Sequence, residues 1–261
     1  MWPTSPRPAA RRQRHWDAGV VDVEEVTDTA PRPAGRTLFS QGWRDVAFVH
    51  WALDPALVAP LLPPGTRPDT TPDGHTWAGL VPFRMRRIGV LGSPGLPWVG
   101  SFLETNVRLY SVDEEGRRGV VFRSLDADRL LPVLVARAAG LPYLWSRMRF
   151  DRDGDLLTYT SRRRWPGPRG AGGRVELRVG PRLTDPGPVE RFLTGRWGLH
   201  QTALGRTRYW PNEHPAWPLH RAELMTWDGD LLAAAGLPGV EGPPDSVLFS
   251  PGVDVRFGPR L

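Results

Sequence analysis

The chain has 261 residues, with 34 basic against 28 acidic side chains and a formal charge of +6, and every basic residue is arginine. The absence of lysine excludes a side-chain Schiff base with a carbonyl substrate, because arginine stays protonated and offers no free lone pair. The absence of cysteine excludes a thiolate nucleophile and a thiolate metal site.

Residues 1–36 read as a disordered N-terminal tail, in which Pro3, Pro6, Pro8, Pro31 and Pro33 interrupt charged sequence with little apolar area to bury. Residues 37–261 read as a single domain, and 29 Gly, 29 Pro and 12 Trp favour short strands and tight turns over long helices. A first strand is expected over 42–53, followed by a short helix that Asp54 caps, Pro55 opens and Pro63-Pro64-Gly65 ends. A strand over 75–88 leads through a Gly/Pro loop at 89–97 to a long strand over 98–112. The acidic turn at 113–119 returns the chain as a strand over 118–125. Asp126 then reads as the N-cap of a helix whose Leu130, Leu131, Leu134, Val135 and Ala138 form a core-facing stripe. Pro132 is tolerated there only within the first turns.

Segments 143–150 and 156–165 pair as a hairpin, and 167–173 reads as a linker-like loop. Then follow a strand at 175–179, a short helix at 188–193, strands at 204–210 and 219–227, a helix at 231–235 and a last strand at 253–257. This order is α+β, a mostly antiparallel β-barrel or sandwich with a few short helices. No apolar run approaches the ~20 residues that cross a bilayer. Arg11-Arg12 is followed by polar residues rather than an apolar stretch, so no export signal is expected and the location reads as cytoplasmic.

Three stretches together carry a family resemblance. They are His50-Trp51 followed by the Asp54-Pro55 helix and Leu62-Pro63; Phe102-Leu103-Glu104-Thr105-Asn106-Val107-Arg108-Leu109-Tyr110; and Arg137-Ala138-Ala139-Gly140-Leu141-Pro142-Tyr143. In this order they resemble the YqjF-like proteins, an uncharacterised bacterial family, over roughly residues 38–260. That family is similar in turn to acetoacetate decarboxylase, and the resemblance implies a β-barrel around a small-molecule cavity. The decarboxylase forms its Schiff base on a lysine in a Gly-Phe-Pro-Lys-Lys segment. Gly140-Leu141-Pro142 stands on the first three of those residues, and Tyr143 and Leu144 stand where the lysines would be. The resemblance therefore implies the fold and the cavity but not the covalent chemistry.

Glu104, Asn106 and Arg108 are spaced by two, so on a strand they share one face, while Leu103, Thr105, Val107 and Leu109 share the other. One reading makes them a pocket floor, with Glu104 as the catalytic acid/base, Asn106 as a binding amide and Arg108 as the clamp for an anionic ligand. The other reading is a solvated strand face with a diagonal Glu–Arg contact. Tyr143 either reaches the pocket as a hydrogen-bond donor or sits at the edge of the core. The apolar face of this strand is expected to pack under the helix over 126–139. His50 reads as a hydrogen-bonded core histidine, and none of the six His residues has metal-ligand spacing, so neither metal nor cofactor is expected.

The seven arginines of 162–182 raise nucleic-acid binding, but dispersed acids make a solvated surface the simpler account. The expected partner is a small, anionic organic molecule, with homo-oligomerisation open. The expected function is binding of a small polar or anionic organic molecule in a barrel cavity, with catalysis as a non-Schiff-base enzyme on a carbonyl or carboxylate compound left open. The alternatives are a ligand-binding module without turnover and a basic interaction protein. Borohydride trapping with pyruvate or acetoacetate should add no mass to any internal residue, which intact-mass and peptide mass spectrometry would check.

Overall fold

Asp54 accepts a hydrogen bond from the Ala56 amide at 2.8 Å, and Pro55 occupies the first turn of a short helix, α1 (Pro55–Val58). That helix follows β1 (Phe39–Leu53) in a computed structural model that describes residues 22–32, 35–90, 100–203, 205–240 and 242–261. The chain continues through β2 (Thr66–Pro68), β3 (Thr76–Val90), β4 (Phe102–Asp113), β5 (Arg118–Ala127) and α2 (Leu130–Ala138). Then come β6 (Tyr143–Asp153), β7 (Leu156–Trp165), β8 (Gly172–Arg182), α3 (Pro188–Thr194), β9 (Gly198–Ala203) and β10 (Arg206–Glu213). β11 (His220–Gly229), α4 (Leu231–Ala234) and β12 (Ser246–Phe257) complete the order. The α+β, mainly antiparallel architecture is as expected, the parallel exceptions being β5 with β6 and β5 with β9.

The pairings close two rings that share one wall. One ring runs β12–β1–β3–β4–β5–β9–β10 and back to β12. The other runs β12–β1–β3–β4–β5–β6–β7–β8–β11 and back to β12. Along β4 and the central parts of β1 and β3, alternate side chains go to alternate cores. Phe48, Phe83, Phe102, Tyr110, Leu125 and Phe257 fill the first ring. Val49, Leu80, Val107, Leu109, Leu157 and Leu177 fill the second. β4 is buried at nearly every position for this reason rather than on one side only.

Several expectations are corrected. The apolar face of β4 packs on β7, β8 and α4 through the second core, not under the helix that follows β5. Asp126 is not a cap: it stays in β5, fully buried, and takes a bidentate pair from Arg163 at 2.8 and 2.9 Å plus the Ser146 hydroxyl at 2.7 Å. The helix begins later, at Leu130, with Pro132 inside its first turn. Its Leu130, Leu131, Leu134 and Val135 are exposed, Val135 at 64%, and Val133 alone is buried. The stripe is real but faces outward.

Residues 22–32 are not a free tail. Glu24 N donates to Gly116 O at 3.0 Å, Trp197 Nε1 donates to Thr27 O at 3.2 Å, and Val26 packs on the first core. Residues 1–21 lie outside the described residues, as do 91–99, which hold most of the expected Gly/Pro loop and the expected start of the following strand. β2 and β9 were not expected. The first pairs with the end of β4, and the second closes the first ring against β5 and β10.

The Asp126–Arg163 pair lies in the second ring with both side chains at 1% exposure or less. Arg163→Ala should lower stability by about 3–5 kcal/mol, because one buried charge is then left uncompensated. A shift of the urea midpoint at unchanged slope would register it. An Asp126→Leu/Arg163→Met double variant should recover most of the loss.

Candidate functional site

Positions 104, 106 and 108 of β4 point into the first ring, and all three side chains are buried, with Glu104 at 3% exposure. Ladder pairing sets Glu104 beside Phe83 and Ala127, Asn106 beside Val81 and Leu125, and Arg108 beside Gly79 and Phe122. A register shift at Val107/Arg108 marks a bulge in the β4–β5 pairing at the last of these positions. Gly79 is required there: a Cβ would stand 2.9 Å from His50 Cδ2 and 3.2 Å from Arg108 Cγ. The missing side chain gives room for both groups to lie across the strand.

The site has two ends. At one, the Tyr143 hydroxyl donates to Glu104 Oε2 at 2.8 Å, reaching into the first ring from the start of β6. Burial pushes the Glu104 carboxyl up to about 8, which the Tyr143 hydrogen bond opposes and the charge of Asp126 reinforces. Burial and the neighbouring Glu104 raise the Tyr143 phenol well above its ordinary value. Glu104 is thus a neutral carboxylic acid at neutral pH. Asn106, next along the face, has an amide oxygen without a partner.

At the other end, Arg108 donates from Nε and Nη2 to the Tyr110 hydroxyl at 3.2 and 2.9 Å, and from Nη2 to Leu193 O at 3.0 Å. The Tyr110 hydroxyl also meets His50 Nε2 at 2.8 Å and donates to Leu193 O at 2.9 Å. Whichever tautomer the imidazole adopts, its Nδ1 has no partner. Burial, with the charges of Arg108 and Arg196, pushes the His50 pKa well below its ordinary value and keeps the ring neutral. Arg108 is 5% exposed, and among the described residues no carboxylate lies within ion-pairing distance. The neighbouring Arg196, in contrast, is paired with Asp69, which Arg118 also holds.

The structure therefore unites Glu104 with Tyr143 and sets Asn106 beside them on the same face. Arg108 shares that face but turns toward Tyr110 and away from any contact with Glu104, so there is no diagonal Glu–Arg contact. Sequence reading missed Tyr110, the next residue with the same spacing of two, and the role of His50 against it. Surface cavities of about 270 and 290 Å³ lie elsewhere, beside Gly140-Leu141-Pro142 and under Trp197 and Trp217. A buried Ser111–His200–Asp113 row faces away from this site; burial raises Asp113, but hydrogen bonds from His200 and Arg117 outweigh it and bring its pKa to about 2. Among the described residues no cluster of three His, Asp or Glu could hold a metal ion.

Solved structures share this architecture at low identity, which makes the likeness one of fold. Acetoacetate decarboxylase from Legionella pneumophila superposes with a TM-score of 0.57 at 15% identity, over 88% of this chain and 89% of that one. An acetoacetate decarboxylase-like enzyme from Sphingomonas wittichii RW1 gives 0.57 at 16%, over 87% and 93% of the two chains. The enduracididine biosynthesis enzyme MppR, solved in complex with pyruvate, gives 0.54 at 16%, over 86% and 89%. The fold is that of the acetoacetate decarboxylase-like proteins. The chain itself belongs to the DUF2071 family of uncharacterised conserved proteins, whose model matches residues 40–254. It is 30% identical over 228 residues to the uncharacterised protein YqjF of Bacillus subtilis (strain 168), across 87% of this chain and 93% of that protein.

In the folded protein Glu104 keeps its proton up to about pH 8, whereas an ordinary glutamate releases it near 4.5. Between those values the folded state binds the extra proton, so stability should fall as pH rises through that window, by at most about 1.4 kcal/mol per pH unit. Glu104→Gln cannot ionise and should flatten this part of the profile. Urea melts of both proteins across the window provide the comparison.

Proposed function

We propose that the first ring binds a small organic anion carrying a carbonyl group, with the carboxylate on Arg108 and Glu104 as the proton donor. The observation that carries the reading is the buried Arg108 guanidinium without a carboxylate partner. A charge so placed is costly unless a counter-ion arrives, and the guanidinium fork fits a carboxylate. The unpartnered Asn106 Oδ1 and His50 Nδ1 on the same interior supply further polar contacts for a ligand. Glu104 is protonated at neutral pH and so can donate to a carbonyl oxygen, and Tyr143 holds its carboxyl in place. Pyruvate bound to the structural neighbour MppR is a molecule of the same class.

The chemistry proceeds without a side-chain Schiff base, since the chain has no lysine and Tyr143 follows Gly140-Leu141-Pro142. In the simplest step Glu104 protonates the carbonyl oxygen while water takes the proton from the adjacent carbon, giving the enol. A solvent proton then adds to carbon while the enol hydroxyl returns its proton to the Glu104 carboxylate, which regenerates the keto form and the acid. The same geometry serves binding without turnover. A basic interaction protein has less support. Within 162–182, Arg163 is buried on Asp126, Arg174 pairs with Glu176, and Arg178 lies 3.9 Å from both Asp155 and Glu223. A cytoplasmic location is part of the proposal, and no helix among the described residues is long and apolar enough to cross a membrane.

Pyruvate methyl exchange in D2O, followed by proton NMR, tests both halves. Wild type should bind pyruvate and speed exchange over buffer. Arg108→Gln should lose binding, while Glu104→Gln should bind but exchange roughly a hundredfold more slowly. Binding without exchange would leave the module reading. A panel of short keto and hydroxy acids to which Arg108→Gln binds as well as wild type would end the proposal.

A further inference from the structure

A charged groove lies where β1 and β3 pair irregularly. Their ladder shifts register between Ser40 and Gly42 and again between Arg44 and Val49. The groove is open to solvent, spans about 550 Å³ and is lined by Arg44, Asp45, Arg84, Arg86, Arg87, Ser101 and Pro251. Among the described residues the non-glycine positions with left-handed backbone are Asp45 and Arg87, each with φ at 49°, and both line this groove. A β-carbon in that conformation crowds the carbonyl, and such strain persists only where the surroundings enforce it.

The charges of the groove are unbalanced. Asp45 is committed to Arg84 at 2.8 Å and to Arg152 at 3.1 Å, with its carbonyl taking the Tyr159 hydroxyl at 2.6 Å. Arg44 pairs with Asp254 and donates to the carbonyls of Trp43 and Val253 at 2.8 and 2.7 Å. Arg86 and Arg87 have no carboxylate within ion-pairing distance among the described residues. Five guanidiniums thus meet two carboxylates, and the two unpaired ones lie side by side on β3.

We propose that this groove binds the phosphate groups of a small phosphorylated compound, with Arg86 and Arg87 as the primary contacts and Arg44 and Arg84 as fixed walls. Planar guanidiniums engage phosphate oxygens in pairs, and several converging on one groove suit a diphosphate better than a single carboxylate. A nucleic-acid strand is disfavoured, because among the described residues no aromatic side chain lines the groove to stack a base, and Asp45 interrupts the basic surface.

Calorimetric titration of the full chain with inorganic pyrophosphate at low salt tests this. Wild type should bind one pyrophosphate per chain, and Arg86→Ala/Arg87→Ala should weaken it roughly tenfold or more. Arg206→Ala/Arg208→Ala, which removes exposed charges on β10, should leave affinity unchanged. Arg87→Gly relieves the left-handed strain, so it should melt no lower than wild type yet bind more weakly, which separates lost binding from lost folding. Absence of pyrophosphate binding, or an equal loss in the β10 variant, would overturn the proposal. So would tighter binding of a single-stranded oligonucleotide with affinity that grows with its length.

Discussion

β4, in the wall that the two rings share, has a core on each face, and the rest of the molecule is arranged around that constraint. A strand with water on one side can place polar residues there at little cost. On β4 every polar residue that enters either ring must be desolvated, so each needs a partner, a neutral form or a ligand. Thr105, Val107 and Leu109 meet the constraint toward the second ring by being small or apolar. Glu104, Asn106 and Arg108 do not meet it in the same way, and each resolves it differently. Glu104 keeps its proton, Arg108 turns to a phenol and a carbonyl, and the Asn106 oxygen is left without a partner.

The two rings carry opposite electrostatic solutions a few ångströms apart. In the second, Asp126 and Arg163 neutralise each other with two hydrogen bonds, and Ser146 satisfies the carboxylate further. In the first, the acid and the guanidinium of β4 do not meet. Asp126 still acts through the wall, since its charge adds to the burial that keeps Glu104 protonated. The site's acid is therefore set partly by a residue that never enters the ring containing it. Low dielectric on both sides of the wall makes that transmission effective.

Much of this was legible where the signal was local. The Asp54-Pro55 helix start, the spacing of two on β4 and the 143–165 hairpin each rest on neighbours in sequence, and each appears as read. Tyr143 entered through resemblance rather than pattern. What failed depended on distant partners. Asp126 before an apolar periodic run looks the same whether it caps a helix or pairs with Arg163, 37 residues on. Leu130, Leu131, Leu134 and Val135 have helical periodicity, but periodicity does not say which face meets the core. Glu24 docks on Arg118, 94 residues away, and no composition rule sees that.

The alternation on β4 makes the shared wall a partition with two separate addresses. Even-numbered positions from 102 to 110 write the contents of the first ring, and odd-numbered ones from 105 to 109 write those of the second. Descendants of one ancestral chain can thus acquire new chemistry in one compartment while the other keeps the protein folded. Conserved architecture with divergent reactions is what such a partition permits. A substitution in one interior need not disturb the packing of the other.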